Sequence, residues 1–239
     1  MAAICAVVLG VSVGNQASAQ TILISPTVND GGFESIAGKT DFTSPTSSAN
    51  GIPYWGATLL NSAGTAVGAP SDSGAENSIG SNTIHTGAAG AFWQPVGSST
   101  SFNLETSHIA ITGDLFTFTW WAYTTGTGGQ EVASLYSQAP GTVGATYAYS
   151  PSATLVAIDG AVNPTYALNN AYTEYTLSYT ATAADAGNYV GLTFGNDGGS
   201  YIAADDFTLT VTPVPEPSVL ALSTMGGLSL LGFMRRRNK

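Results

Sequence analysis

The chain has 239 residues, 44% hydrophobic and only 8% charged, with fifteen acidic residues against five basic ones and a net charge of −10. Four of the five basic residues sit in the last five positions, so Lys39 is the only cation between Gln20 and Pro217, where all fifteen acids lie. Such a surface repels phosphate backbones and excludes nucleic acid as a partner; it suits divalent cations and keeps a protein soluble outside the cell.

The N-terminus opens on an apolar segment, Ala2 to Val13, followed by Gly14-Asn15-Gln16 and then Ala17-Ser18-Ala19. Small residues at the last three positions fit a signal peptidase site, which predicts a signal peptide over 1–19 and Gln20 as the first mature residue. No Lys or Arg precedes the apolar segment, a departure that a start codon placed too far downstream would explain. Cys5, the only cysteine, lies inside this segment, so the mature protein is expected to have neither disulfides nor thiolate chemistry.

From Gln20 to Thr212 the chain reads as one all-β domain. No long helical period appears, and apolar alternation is broken by Gly, Asn, Asp and Ser clusters. Strands are predicted at Leu115 to Thr124, Val132 to Ser137, Ala153 to Asp159, Tyr172 to Thr182, Tyr189 to Gly195 and Tyr201 to Thr212. Tyr175, Leu177 and Tyr179 alternate with Thr176, Ser178 and Thr180, and Val190, Leu192 and Phe194 share one face. Each such strand buries one face and wets the other, the pattern of an antiparallel β-sandwich. Residues 38 to 90 read as long surface loops with a few short strands, and no internal repeat suggests a solenoid or propeller.

Residues 213–239 have three unlike parts: the motif Val214-Pro215-Glu216-Pro217, an uncharged apolar run from Ser218 to Met234, and the basic end Arg235-Arg236-Arg237-Asn238-Lys239. At about 1.5 Å per residue the apolar run, read as a single helix, spans the thinner part of a bilayer core. The cluster behind it stays cytoplasmic by the positive-inside bias. Gly226, Gly227 and Gly232, with Ser and Thr among them, make it a poor permanent anchor. This tail resembles the PEP-CTERM sorting signal of Gram-negative bacteria. The resemblance implies recognition by an exosortase, cleavage near Pro215-Glu216-Pro217, only transient residence in the inner membrane, and delivery to the cell surface or extracellular matrix.

Within the body, Asn29-Asp30-Gly31-Gly32-Phe33-Glu34, Ile52-Pro53-Tyr54-Trp55, Phe92-Trp93-Gln94 and the closing Asp205-Asp206-Phe207-Thr208-Leu209 resemble the galactose-binding-like jelly rolls of several carbohydrate-binding modules. The resemblance implies neighbouring first and last strands tied by a structural calcium, carried here by Glu34 with Asp205 or Asp206. The residues themselves agree in part. By strict alternation Asp205 shares the inward parity of Phe207 and Leu209, and an inward carboxylate in a body with one lysine needs either a metal or backbone N–H donors.

Polysaccharide binding is predicted from aromatic placement, since sugar rings stack on flat exposed rings. On Leu115 to Thr124, Phe116, Phe118 and Trp120 share one face, and Thr117, Thr119, Trp121 and Tyr123 the other. If the threonine face is wet, Trp121 and Tyr123 form a platform. Tyr54 and Trp55, on an expected loop, are the other candidates, set against the common role of large aromatics as core. Burial of Trp121 and Tyr123 would instead favour a structural matrix protein or adhesin. No catalytic residue is assigned: His85 and His108 stand in no recognisable motif, and Glu105, Glu131 and Glu174 read as solvated acids unless two face each other across a groove.

Overall fold

In the computed structural model the described residues are 19–36, 55–60, 66–68, 73–77, 84–93, 99–124, 130–140, 154–158, 171–198 and 200–214. The predicted signal peptide up to residue 18, Tyr54, and the sorting signal from Pro215 onward lie outside them. Residues Gln20–Pro213 form a compact unit of their own. Among the described residues the only helical element is a 3-10 turn, Glu34–Ile36, and no helix is long and apolar enough to cross a membrane.

Among the described residues, twelve strands make two sheets. In chain order they are β1 (Thr21–Ile24), β2 (Gly56–Leu60), β3 (Ala66–Gly68), β4 (Ser73–Asn77), β5 (Ala89–Trp93), β6 (Ser99–Ile109), β7 (Leu115–Thr124), β8 (Gln130–Gln138), β9 (Thr154–Ile158), β10 (Thr173–Thr180), β11 (Tyr189–Gly198) and β12 (Ile202–Thr212). The first sheet runs β10-β7-β12-β5-β4, with β1 also on β12; the second runs β3-β2-β6-β11-β8-β9. Every pairing is antiparallel, which makes the domain an all-β sandwich.

Strand β7 coincides with its predicted range because its period-2 alternation is clean: Phe116, Phe118, Trp120 and Ala122 are buried in the core. They face Leu104, Leu135, Val190, Leu192 and Phe194 of the second sheet. Phe194 is the cross-sheet knob, with its ring centroid 4.8 Å from Trp93, 5.1 Å from Phe207 and 6.0 Å from Trp120. Aromatic pairs at such offsets add about 1 kcal/mol each beyond the area they bury.

Strand β12 is central, with β7 along one edge and β5, then β1, along the other. Its register against β7 slips between Asp205, opposite Trp121, and Thr208, opposite Thr119. Asp206 and Phe207 thus share the single position opposite Trp120, a β-bulge in which Asp206 takes a left-handed φ of 53°. The bulge reverses the predicted parity. Phe207, Leu209 and Val211 point inward, whereas Asp205 keeps the side of Trp121 and Ala203, on the outer face. Segment 25–33 crosses over this bulge, Phe207 N–H donating to Gly31 C=O at 2.8 Å. Any β-carbon at Gly31 would sit 2.2 Å from Phe207 C=O, so only glycine allows this approach.

Candidate functional site

The pairing places four rows of side chains on the outer face of the first sheet. Phe92, Ala203 and Tyr123 stand in one row; Asp205, Trp121 and Glu174 in the next; then Thr208, Thr119 and Thr176; then Thr210, Thr117 and Ser178. On the edge strand β10, Glu174, Thr176, Ser178 and Thr180 are exposed, so this end of the face is a wet field of hydroxyls bordered by one carboxylate. Trp121 is half-buried at the margin between that field and a small aromatic cluster of Phe92, Tyr123, Tyr172 and Tyr201.

Tyr123 does not share the platform. It is 2% exposed, its ring meeting Tyr172 edge-on at 4.8 Å, because the strand leads into a cluster also covered by Tyr201 stacked on Phe92 at 5.7 Å. Trp55 is not a loop residue open to ligand either. It is 3% exposed, packed 5.0 Å from Phe33 and 5.4 Å from Phe207, with its indole N–H donating to Asp30 C=O at 3.0 Å. The apolar surface of an indole beside the bulge is worth more inside the sandwich than in water.

Three carboxylates, Glu34 and the adjacent Asp205 and Asp206, converge from two distant parts of the chain on segment 84–89. Asp205 accepts the backbone N–H of His85 at 3.0 Å and of Thr86 at 3.2 Å, as well as that of Asp206 at 2.7 Å. One Asp206 oxygen lies 2.7 Å from His85 Nδ1, and Thr86 Oγ1 donates to the same carboxylate at 2.7 Å. Glu34 accepts the N–H of Ala88 at 3.0 Å and of Ala89 at 3.4 Å. Gly87, between the clasped residues, has a φ of 71°, and a β-carbon there would lie 1.9 Å from Glu34 Oε1. His85 in turn stacks on Trp121, centroids 4.1 Å apart and planes 14° apart, and tilts against Tyr172 at 5.0 Å.

Burial, with the neighbouring Asp206 carboxylate, pushes the Asp205 carboxyl up to about 8, against the N–H donors of Asp206, His85 and Thr86 that hold it down. Tyr172 is raised above the usual phenol range, by burial first and then by the negative charge of Asp205.

Glu34, Asp205 and Asp206 are therefore brought to one loop, as their resemblance to a calcium set implies, but their geometry is that of acceptors for N–H and O–H groups. Calcium takes six to eight oxygen ligands, and the hydrogens of the loop point at the oxygens it would use. Among the described residues no group of three or more His, Cys, Asp and Glu is arranged to hold a metal ion. Backbone N–H donors, one of the two compensations the sequence leaves open for Asp205, are present.

Sequence reasoning missed His85, Thr86 and Tyr172 as partners of this cluster. Its one legible trace is the acid on an apolar parity in a chain almost without cations, a pattern that a bulge resolves by turning the acid outward.

No family model matches the chain, and no curated protein matches it. Among solved structures the chain is similar to a cyclase from Fischerella sp. TAU, with a TM-score of 0.58 at 15% identity over 82% of this chain and 100% of that one. A cyclase from the same organism in complex with 4-(1H-indol-3-yl)butan-2-one gives 0.56 at 16% identity, over 80% and 99%. The likeness is one of fold. The xylan-binding CBM22-1 domain of Paenibacillus barcinonensis Xyn10C overlays with a TM-score of 0.41 at 10% identity, over 83% of this chain and 99% of that one.

Proposed function

We propose that this is an exported, non-catalytic protein of the cell surface or extracellular matrix that binds polysaccharide on the outer face of its first sheet. The observation that carries the reading is the placement of half-buried Trp121 beside exposed Glu174 in its own row and next to the hydroxyl row of Thr119, Thr176 and Thr208. A ring at the edge of a flat, wet strip of hydroxyls offers a sugar both a stacking surface and hydrogen-bond partners. Export, signal peptidase and exosortase processing, and surface delivery enter through the terminal segments, the acidic composition and the absence of cysteine after Cys5.

A second reading, a structural matrix protein or adhesin without a defined ligand site, is favoured by the burial of Tyr123 and by the uniform Thr and Ser lining of the exposed face. Affinity electrophoresis of the full-length protein against neutral and acidic polysaccharides separates the two. Retardation in at least one gel is expected; equal mobility in all of them transfers the reading to the structural protein.

A further inference from the structure

The His85 imidazole lies on the Trp121 indole at 4.1 Å and 14°, the face-to-face arrangement in which a flat sugar face would meet the same ring. Resting on the polysaccharide reading above, we propose that the His85 side chain, carried on the anchored segment 84–88, is a displaceable cap on Trp121, and that its ring must leave the indole before a sugar can stack there.

The way the segment is held separates an anchor from a movable part. Its backbone is fixed from below by carboxylates: His85 and Thr86 N–H on Asp205, Ala88 N–H on Glu34. Thr86, Gly87 and Ala88 are exposed, so little apolar burial secures the segment. The His85 ring is tethered by one polar contact, Nδ1 to Asp206 Oδ2, with both side chains partly open to water, 23% and 13% exposed. If the ring swings away, Asp206 keeps the Thr86 hydroxyl as a partner. Asp205 keeps its backbone donors, because they belong to the main chain and not to the ring.

Displacement therefore strands no buried polar group. What it gives up is the stack on Trp121, the tilted contact with Tyr172 and one solvent-accessible hydrogen bond, together on the order of a 10-fold effect on apparent affinity. A binding-competent state populated at that fraction weakens apparent affinity by the same factor.

The test uses the full-length protein and acrylamide quenching of tryptophan fluorescence. Trp55, Trp93 and Trp120 are buried, so quenchable emission reports Trp121. His85→Ala is expected to raise the quenchable fraction and to tighten binding of soluble xylan or hydroxyethyl cellulose about 10-fold. Asp206→Asn, which keeps the shape of the side chain and weakens the tether, is expected to fall between wild type and His85→Ala in both readouts, with an unchanged far-UV spectrum. Unchanged quenching in His85→Ala overturns the cap. Increased quenching with weaker polysaccharide binding also overturns it and makes His85 a ligand contact. Increased quenching in a protein of which no form binds either polymer or is retarded in any of the neutral and acidic polysaccharide gels supports the cap and overturns the polysaccharide reading of the site.

Discussion

The buried Asp205 carboxyl should make this protein less stable as pH rises through neutrality. Its folded value of about 8 lies well above the ordinary 3.8, so between those limits the folded state holds a proton that the unfolded chain has released. Stability from this group is complete below about pH 4 and is lost as pH rises to about 8. At 1.36 kcal/mol per unit the shift corresponds to on the order of 5 kcal/mol. Asp30, raised chiefly by burial, acts in the same direction. Asp185 acts in a separate window: burial raises it, but hydrogen bonds from Tyr179 and Thr182 outweigh burial and hold it low, so its contribution is lost only as pH falls below the ordinary carboxylate value.

Thermal unfolding followed by circular dichroism between pH 4.5 and 9 should therefore show Tm falling by roughly 10 °C or more, since 1 kcal/mol moves a domain of this size by about 2–4 °C. In Asp205→Asn the slope should largely vanish. Its carbonyl can still accept from His85 and Thr86, while its amide meets the Asp206 N–H, a mismatch costing about 1–3 kcal/mol at pH 4.5. A wild-type Tm that rises across this range, or a variant with the wild-type slope, would refute the assignment of a raised carboxyl to Asp205.

Three further outcomes are expected. Gly191→Ala should lower the unfolding free energy read from urea denaturation by about 1–3 kcal/mol, because its new β-carbon would sit 2.3 Å from the Tyr136 ring and 2.6 Å from Leu104 C=O; an unchanged midpoint would show that Tyr136 can move aside. Gly87→Ala should cost about 1–3 kcal/mol through its left-handed φ and the displacement of Glu34, and amide exchange at Ala88 and Ala89 should accelerate; wild-type exchange would argue against the clasp. Adding calcium or EDTA should leave Tm within about 1 °C. Saturating calcium that raises Tm by the roughly 5 °C or more expected of a ligand at 100 times its Kd would instead install Glu34, Asp205 and Asp206 as metal ligands.

What could be read in advance follows from how local each signal is. Strand β7 and the buried faces of β11 are written as period-2 alternation, so Phe116, Phe118, Trp120, Val190, Leu192 and Phe194 fall where the sequence puts them. Strand β6, eleven residues long and paired with both β2 and β11, was not predicted. Its buried positions include Thr106, whose hydroxyl donates to Val190 C=O, so the apolar alternation that marks a strand is interrupted inside the core. The outer position of Trp121 was legible, but its cover was not. His85 lies 120 residues from Asp205 along the chain, and nothing local to either residue announces the meeting. The bulge at Asp206 is the costliest omission, since one extra residue moved Asp205 from the expected core side to the face that bears the candidate site.

The central claim is that Trp121 is the stacking surface for polysaccharide, and Trp121→Ala in affinity electrophoresis tests it most directly. The side chain is half-buried on the outer face, so the variant should keep its far-UV spectrum while losing at least about 10-fold in affinity, 1.4 kcal/mol, for any polymer that retards the wild type. Full retardation of a folded Trp121→Ala protein would contradict the account and move the binding surface away from this face.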